Sequence, residues 1–325
     1  MSLEYLPYLR ELKHPSTIRV LTEIHQRELD LKLSVIPKFP LFSMKVLNIT
    51  PNRNLNLGFA VFLCPFITSV TIDGHLEKLT DKDLLSLLPL EKLEDLNISG
   101  YGNVNLTFDG GIAPFLKARG NSLNKLTLSM VHEVDHIPII TQYCSNLSYL
   151  NLCYVRSFLR SWSASQRDSF RRQRNKLEQP ILKYLERLNL TEPNGILPES
   201  LCLLLSSPFL NWVRIQTCDT FTDDVLQQAA NLYSFRYLES FEMHDCKLAT
   251  TKILQVLLQE TIPLNWIRLT WEQKEPENLS EILHRWEKEK EKKHWNICIL
   301  VQYFDCEDTD TSDVDSENED IIWVR

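Results

Sequence analysis

The sequence predicts an α/β solenoid, a right-handed horseshoe with parallel strands on its concave face and helices on its convex face. Three observations predict it. An apolar triplet of the form L-x-x-L-x-L recurs nine times, with first positions at Met44, Ile67, Leu93, Leu123, Leu147, Leu185, Leu210, Leu238 and Leu264. The steps between copies are 23, 26, 30, 24, 38, 25, 28 and 26 residues, which centre on one strand plus one crossover. The stretches between copies open on helix-capping residues and continue with helical apolar spacing.

The spacing has a physical cause. Side chains alternate across a strand, so the last two apolar residues of a triplet share one face. Leu188 and Leu190 after Leu185 form the clearest case, and Leu96 and Ile98, Leu126 and Leu128, Val213 and Ile215, Phe241 and Met243, and Ile267 and Leu269 repeat it. One such unit cannot bury its apolar face alone, and stacked units bury it against one another. Parallel strands need crossovers, and here they read as helices. Thr80-Asp81 precedes Leu84, Leu85 and Leu88; Thr222-Asp223-Asp224 precedes Val225, Leu226, Ala229 and Ala230; Thr250-Thr251 precedes Ile253, Leu254, Leu257 and Leu258. Each places a cap before apolar residues at helical spacing.

Taken in order, residues 1–43 form an N-terminal cap. Leu3, Leu6, Leu9 and Leu12, then Ile18, Leu21 and Ile24, predict two short helices separated at His14-Pro15-Ser16, before an alternating Leu29, Leu31, Leu33. The solenoid occupies 44–304. Its longest step holds a basic insertion at 156–178, with Arg156, Arg160, Arg167, Arg171, Arg172, Arg174 and Lys176 against Asp168 and Glu178. Residues 277–304 form a C-terminal cap: a charged helix from Glu277 to Lys293 with Leu279, Ile282, Leu283 and Trp286 on one side, then a strand from Trp295 to Phe304. Residues 305–325 are an acidic tail of disordered composition. It ends on an apolar Ile-Ile-Trp-Val-Arg that reads as a short docking motif.

The formal net charge of −8 belongs to that tail. Residues 305–320 carry nine acids and no base, so the remainder sits at +1. Met1-Ser-Leu-Glu-Tyr has no basic start followed by an apolar core, so no secretory leader is expected, and no run is long enough to span a membrane. Eight cysteines therefore read as reduced thiols. Four of them hold fixed repeat positions: Cys64 and Cys144 stand three before a triplet, Cys218 and Cys246 three after one. The expected location is cytoplasmic, nuclear or both.

Cys144-Ser-Asn-Leu147-Ser-Tyr-Leu150-Asn-Leu152 resembles the C-P-x-L-x-x-L-x-L unit of cysteine-containing leucine-rich repeats, which share the ribonuclease-inhibitor type of architecture. Cys64-Pro65-Phe66-Ile67 matches it, and Ser207-Pro208-Phe209-Leu210 matches with Ser for Cys. The resemblance spans most of 44–275. Many members of that subfamily are F-box proteins, which hold substrates for a cullin-type ubiquitin ligase. The resemblance thus implies a substrate-recognition subunit with cullin ligase components among its partners. Residues 1–43 carry no L-P-x-E-I-L stretch of the kind that opens an F-box.

Catalytic chemistry finds no support in the spacing. His132-Glu133-Val134-Asp135-His136 is a literal H-E-x-x-H, but it begins four residues after Leu128, where a strand ends. Zinc proteases need both histidines on one face of a helix. Here the next helix would start where the motif stops, with Asp135 as cap and Pro138 in the first turn. No Cys-x-x-Cys pair is present, and Gly100-Tyr-Gly102 lacks the remainder of a nucleotide loop. The chain therefore reads as a non-enzyme with no cofactor and no metal.

Binding is expected on the concave face, at positions flanking the last two apolar residues of each triplet. In the N-terminal half these are small and polar. In the C-terminal half they gather Tyr149, Arg187, Trp212, Arg214, His244, Trp266 and Arg268. Tyr, Trp and Arg dominate interface hot spots. The leading expectation is an adaptor that grips a partner protein there. The alternative is a nuclear regulator associated with nucleic acid or histones, acting through the basic insertion or the acidic tail. The tail's charge opposes the nucleic-acid version, because it repels phosphates.

Overall fold

In a computed structural model of the chain, the described residues are 11–12, 43–50, 57–75, 79–101, 105–131, 137–154, 182–193, 196–259, 261–271, 281–282, 284–285, 287–288, 298–303 and 322–324. They fall into two compact units, the first of residues up to Val131 and Pro138–Asn151, the second of Ile137 and residues from Leu152 on.

In the first unit the strands are β1 (Glu11–Leu12), β2 (Val46–Ile49), β3 (Ser69–His75), β4 (Asp95–Tyr101), β5 (Lys125–Val131) and the start of β6 (Tyr149–Tyr154). Spatial order follows chain order, and β1 to β5 pair in parallel. Leu47 lies opposite Val70, Val70 opposite Leu96, and Leu96 opposite Leu126, so equivalent triplet positions stack in one column. Helices α1 (Leu57–Leu63), α2 (Asp81–Leu85), α3 (Ala113–Arg119) and α4 (Ile137–Tyr143) fill the crossovers. A π-helical turn, Phe108–Ile112, leads into α3. The two looser triplets are genuine: Met44, Leu47, Ile67, Val70 and Ile72 are fully buried.

The second unit repeats the plan with β7 (Arg187–Thr191), β8 (Trp212–Gln216), β9 (Ser240–His244), β10 (Trp266–Trp271) and β11 (Cys298–Tyr303), again parallel and in chain order. Helices α5 (Pro198–Leu205), α6 (Asp223–Tyr233) and α7 (Lys252–Leu257) lie between them. Thr80 and Thr222 cap their helices as expected, each accepting from a backbone N–H three residues on. Leu188, Leu190, Val213, Ile215, Phe241, Met243, Ile267 and Leu269 are fully buried, so the register read from the triplets holds. The architecture fits a leucine-rich-repeat-like solenoid.

Two backbone devices fix the stacking. The carbonyl two residues before the middle apolar position accepts two N–H groups from the next repeat. Glu186 O takes Asn211 N and Trp212 N, Asn211 O takes Glu239 N and Ser240 N, and Glu239 O takes Asn265 N and Trp266 N. Two residues after the last apolar position, the backbone takes a positive φ. Gly74 and Gly100 do this in the first unit, and Glu192, Thr217 and Asp245 in the second. Glu192 N, Thr217 N and Asp245 N then each donate to the following strand, to Gln216 O, His244 O and Thr270 O.

The structure corrects the expected ends of the solenoid. Glu11 and Leu12, expected in a helix, pair with Val46 and Leu47 instead. The apolar end of the tail is also not disordered: Ile322–Val324 forms β12, antiparallel to β11. Both strands cover a sheet edge whose backbone groups would otherwise face solvent, a demand stronger than local helical spacing. The final strand of the cap is seen at Cys298–Tyr303, within the expected span. Glu281, Ile282, His284, Arg285, Glu287 and Lys288 are helical, as the charged helix required. The rest of the 1–43 cap, the basic insertion 156–178, the acidic run 305–320 and the His132–His136 motif lie outside the described residues.

Candidate protein-binding face

The strands of the second unit turn their apolar residues toward the helices and leave the opposite face open. Three rows of side chains cross that face. The first runs Arg187, Trp212, Ser240, Trp266, Cys298; the second Asn189, Arg214, Glu242, Arg268, Leu300; the third Thr191, Gln216, His244, Thr270. Six of the seven predicted residues therefore lie on adjacent strands of one sheet. Tyr149 opens β6 in the first unit, half-buried.

The first row carries the apolar bulk. Trp212 and Trp266 are half-buried and both stand beside Ser240, whose side chain is small. With strands about 4.8 Å apart, the two indoles arise roughly 10 Å from each other across that serine. Arg187 ends the row, exposed.

The second row carries the charge. Glu242 sits between Arg214 and Arg268 on neighbouring strands. Arg214 Nε lies 3.8 Å from Glu242 Oε2, and His244 Nε2 lies 3.7 Å from the same oxygen. The arginine contact suits an ion pair, and both distances exceed hydrogen-bond length. Neither nitrogen, although buried, has a hydrogen-bond partner.

His244 departs from expectation. It is only 9% exposed and so supports the face from beneath without presenting surface to a partner. Its Nδ1 is 3.2 Å from Thr270 Oγ1. Burial, and then the charges of Arg214 and Arg268, push its pKa below the ordinary 6.5, against a smaller upward pull from Glu242. The imidazole is therefore neutral at neutral pH. The spacing rule places His244 on the open face but cannot show how deeply it is buried there.

The first unit offers a different face. Asp95 and Lys125 form an exposed pair 3.7 Å apart, and Ser99 Oγ donates to Asp73 Oδ1 at 3.3 Å. Cysteines 64, 144, 202, 218 and 246 are buried and unbridged. Burial pushes the Cys64 and Cys144 thiols up to about 12 and raises Cys246 further, which makes them poor nucleophiles. Among the described residues, no group of three His, Cys, Asp or Glu gathers as a metal site, and no helix is long and apolar enough to cross a membrane.

One feature escaped the sequence reading. The residue just before the triplet is an exposed aromatic in successive repeats: Tyr184, Phe209 and Tyr237. The rings of Phe209 and Tyr237 lie 5.5 Å apart at 32°, and they border a cavity of about 300 Å³ that Leu232 and Arg236 also line. The signal was present as an aromatic at one fixed offset from Leu185, Leu210 and Leu238.

No family model and no curated protein matches the chain. Among solved structures, it is similar to a chain in the crystal structure of the Rad7 and Elc1 complex in yeast. The TM-score is 0.43 and the identity 15%, over 89% of this chain and 81% of that one. The fold assignment rests on the strand pairing and the buried triplets.

Proposed function

We propose that the protein is a binding adaptor that holds a partner protein on the open face of β7 to β10. The observation that carries this reading is the grouping of Arg187, Trp212, Arg214, Trp266 and Arg268 on adjacent strands. Residues of these types supply most of the energy in protein interfaces, through large rigid area and directed charge. Strands also hold them at fixed separations, so little ordering remains to be done on binding. The role is one of binding without catalysis, and the chain needs no cofactor or metal for it. Within this reading, the partner is a substrate presented to a cullin-type ubiquitin ligase, which is what the resemblance of the repeats implies.

Affinity capture from a lysate with the full chain, followed by identification of what co-purifies, tests both levels. Expected is a partner retained by the wild type and lost by a Trp212→Ala/Trp266→Ala variant of unchanged melting temperature. Cullin or its adaptors in the captured set support the ligase role, and their absence from a specific complex discards it. Equal capture by the double variant discards the face itself.

A further inference from the structure

Helix α6 buries Val225, Leu226, Ala229 and Ala230, and Leu232 stands off that stripe, 61% exposed. A lone exposed leucine is ordinary on a protein surface. This one has exposed aromatic company. Phe209 and Tyr237, with rings 5.5 Å apart, line the same cavity of about 300 Å³ as Leu232. Pro208 and Tyr233, both half-buried, complete the apolar wall. Contiguous apolar groups left in solvent mark interaction sites, where scattered single ones do not. The chain after α6 holds this wall in place. Ser234 and Phe235 take φ of 58° and 43°, two left-handed residues in succession and neither a glycine. That conformation costs an L-residue stability and persists only where its surroundings enforce it. Here Ser234 N donates to Ala230 O at 2.6 Å, and Phe235 and Leu238 are buried. Arg236 and Tyr237, between those two buried anchors, are exposed.

The size and charge of the cavity narrow its occupant. A volume of about 300 Å³ stands at the floor of the range for small-molecule sites, so it suits one large side chain better than a cofactor. Its walls are aromatic and aliphatic, which favours an aromatic ring. Arg236 brings a positive charge to the lining, and among the described residues no acid lines the cavity. Nor does any hydrogen bond or ion pair among the described residues engage Arg236. Glu239 is exposed two residues beyond Tyr237 but takes no part in the lining. An aromatic side chain with a carboxylate close to it in sequence meets both conditions.

We propose that this cavity is a docking site for a linear segment of a partner protein, in which a large aromatic side chain has an Asp or Glu within two residues of it. The ring enters against Phe209, Tyr237 and Leu232, and the carboxylate pairs with the guanidinium of Arg236. The site is separate from the open face. Each aromatic stands three residues before the first-row residue of its own repeat, Phe209 before Trp212 and Tyr237 before Ser240. It adds a second contact region beyond the binding role given above and does not depend on that role.

The test titrates the full chain with fluorescent peptides whose centres read Glu-Gly-Trp-Gly-Glu, Gln-Gly-Trp-Gly-Gln, Lys-Gly-Trp-Gly-Lys and Glu-Gly-Ala-Gly-Glu, in otherwise identical neutral sequences. The first should bind at least about tenfold more tightly than each of the others. Arg236→Gln should bring the Glu and Gln peptides to equal affinity, and Arg236→Glu should turn the preference toward the Lys peptide. Both changes fall on an exposed side chain, so the fold is kept. Phe209→Ala/Tyr237→Ala, at unchanged melting temperature, should abolish binding of all the Trp peptides. Equal affinity of the Glu and Gln peptides for the wild type, or no binding of either, overturns the proposal. So does full binding by a folded Phe209→Ala/Tyr237→Ala variant. Loss of peptide binding in Trp212→Ala/Trp266→Ala would put the peptide on the open face, and the cavity site would fall while that face stands.

Discussion

Thr217 leaves β8 with a φ of 53°, a left-handed conformation that is worst tolerated by β-branched residues. The left-handed region costs an L-residue about 1–2 kcal/mol, and Asn lowers that cost by bonding locally. Thr217→Asn should therefore raise stability by up to about 1 kcal/mol, seen as a later urea midpoint at unchanged slope. The equivalent Gly100 has no such latitude, because an added Cβ would strike the carbonyl of Gly74 in the stacked repeat. Gly100→Ala should destabilise the first unit by more than the left-handed cost alone, and recovery of wild-type melting in that variant would contradict the stacking described. This turn was half legible. Glycines at 74 and 100 suit a left-handed position, while Glu192 and Thr217 at the same place give no sign of it. His244 carries a pH signature. Its folded pKa is depressed, so the unfolded chain binds the proton first, and stability falls as pH drops from about 6.5 toward the folded value. His244→Gln should flatten that slope in melting temperatures measured across the interval, and an unchanged slope would place its origin elsewhere.

At the scale of elements, two aspartates stitch one helix start to the next repeat. Asp81 accepts from Thr107 N and Thr107 Oγ1, and Asp223 accepts from Thr250 N and Thr250 Oγ1, at distances of 2.6 to 2.9 Å. Hydrogen bonds to a charged group contribute about 1.5–3 kcal/mol where water is excluded, and less here because both sites are exposed. Asp223→Ala should lower stability by about 1–2 kcal/mol. A double-mutant cycle with Thr250→Val should show coupling, and full additivity would mean that the stitch contributes nothing. The caps at Thr80 and Thr222 were legible because they act within a few residues of sequence. Neither the stitches nor strands β1 and β12 were legible. Each depends on a partner far along the chain, and the two short strands form where a sheet edge needs hydrogen bonds, whatever the local spacing favours.

Across the whole molecule, the triplets made the core readable, since a period of two and a step near 26 together fix which side chains stack. Leu188 is fully buried between repeats. Leu188→Asp should unfold the second unit, because an unpaired charge would enter a core that the repeats share. Retained circular dichroism and melting would refute the register. The same period exposed the rows of the open face, so Trp212, Arg214, Trp266 and Arg268 could be named in advance. What sequence spacing lacked was depth. It could not show that His244 lies beneath its neighbours, or that Tyr184, Phe209 and Tyr237 line up outside the strands. The central claim is that binding belongs to the second unit's face. It is tested most directly by titrating the purified partner against two matched variants, Trp212→Ser/Trp266→Ser on that face and Asp95→Ser/Lys125→Ser on the first unit's. The account predicts a loss of about a hundredfold or more for the tryptophan pair and wild-type affinity for the other. Wild-type affinity for the tryptophan variant, with loss in the first unit's variant, would contradict it.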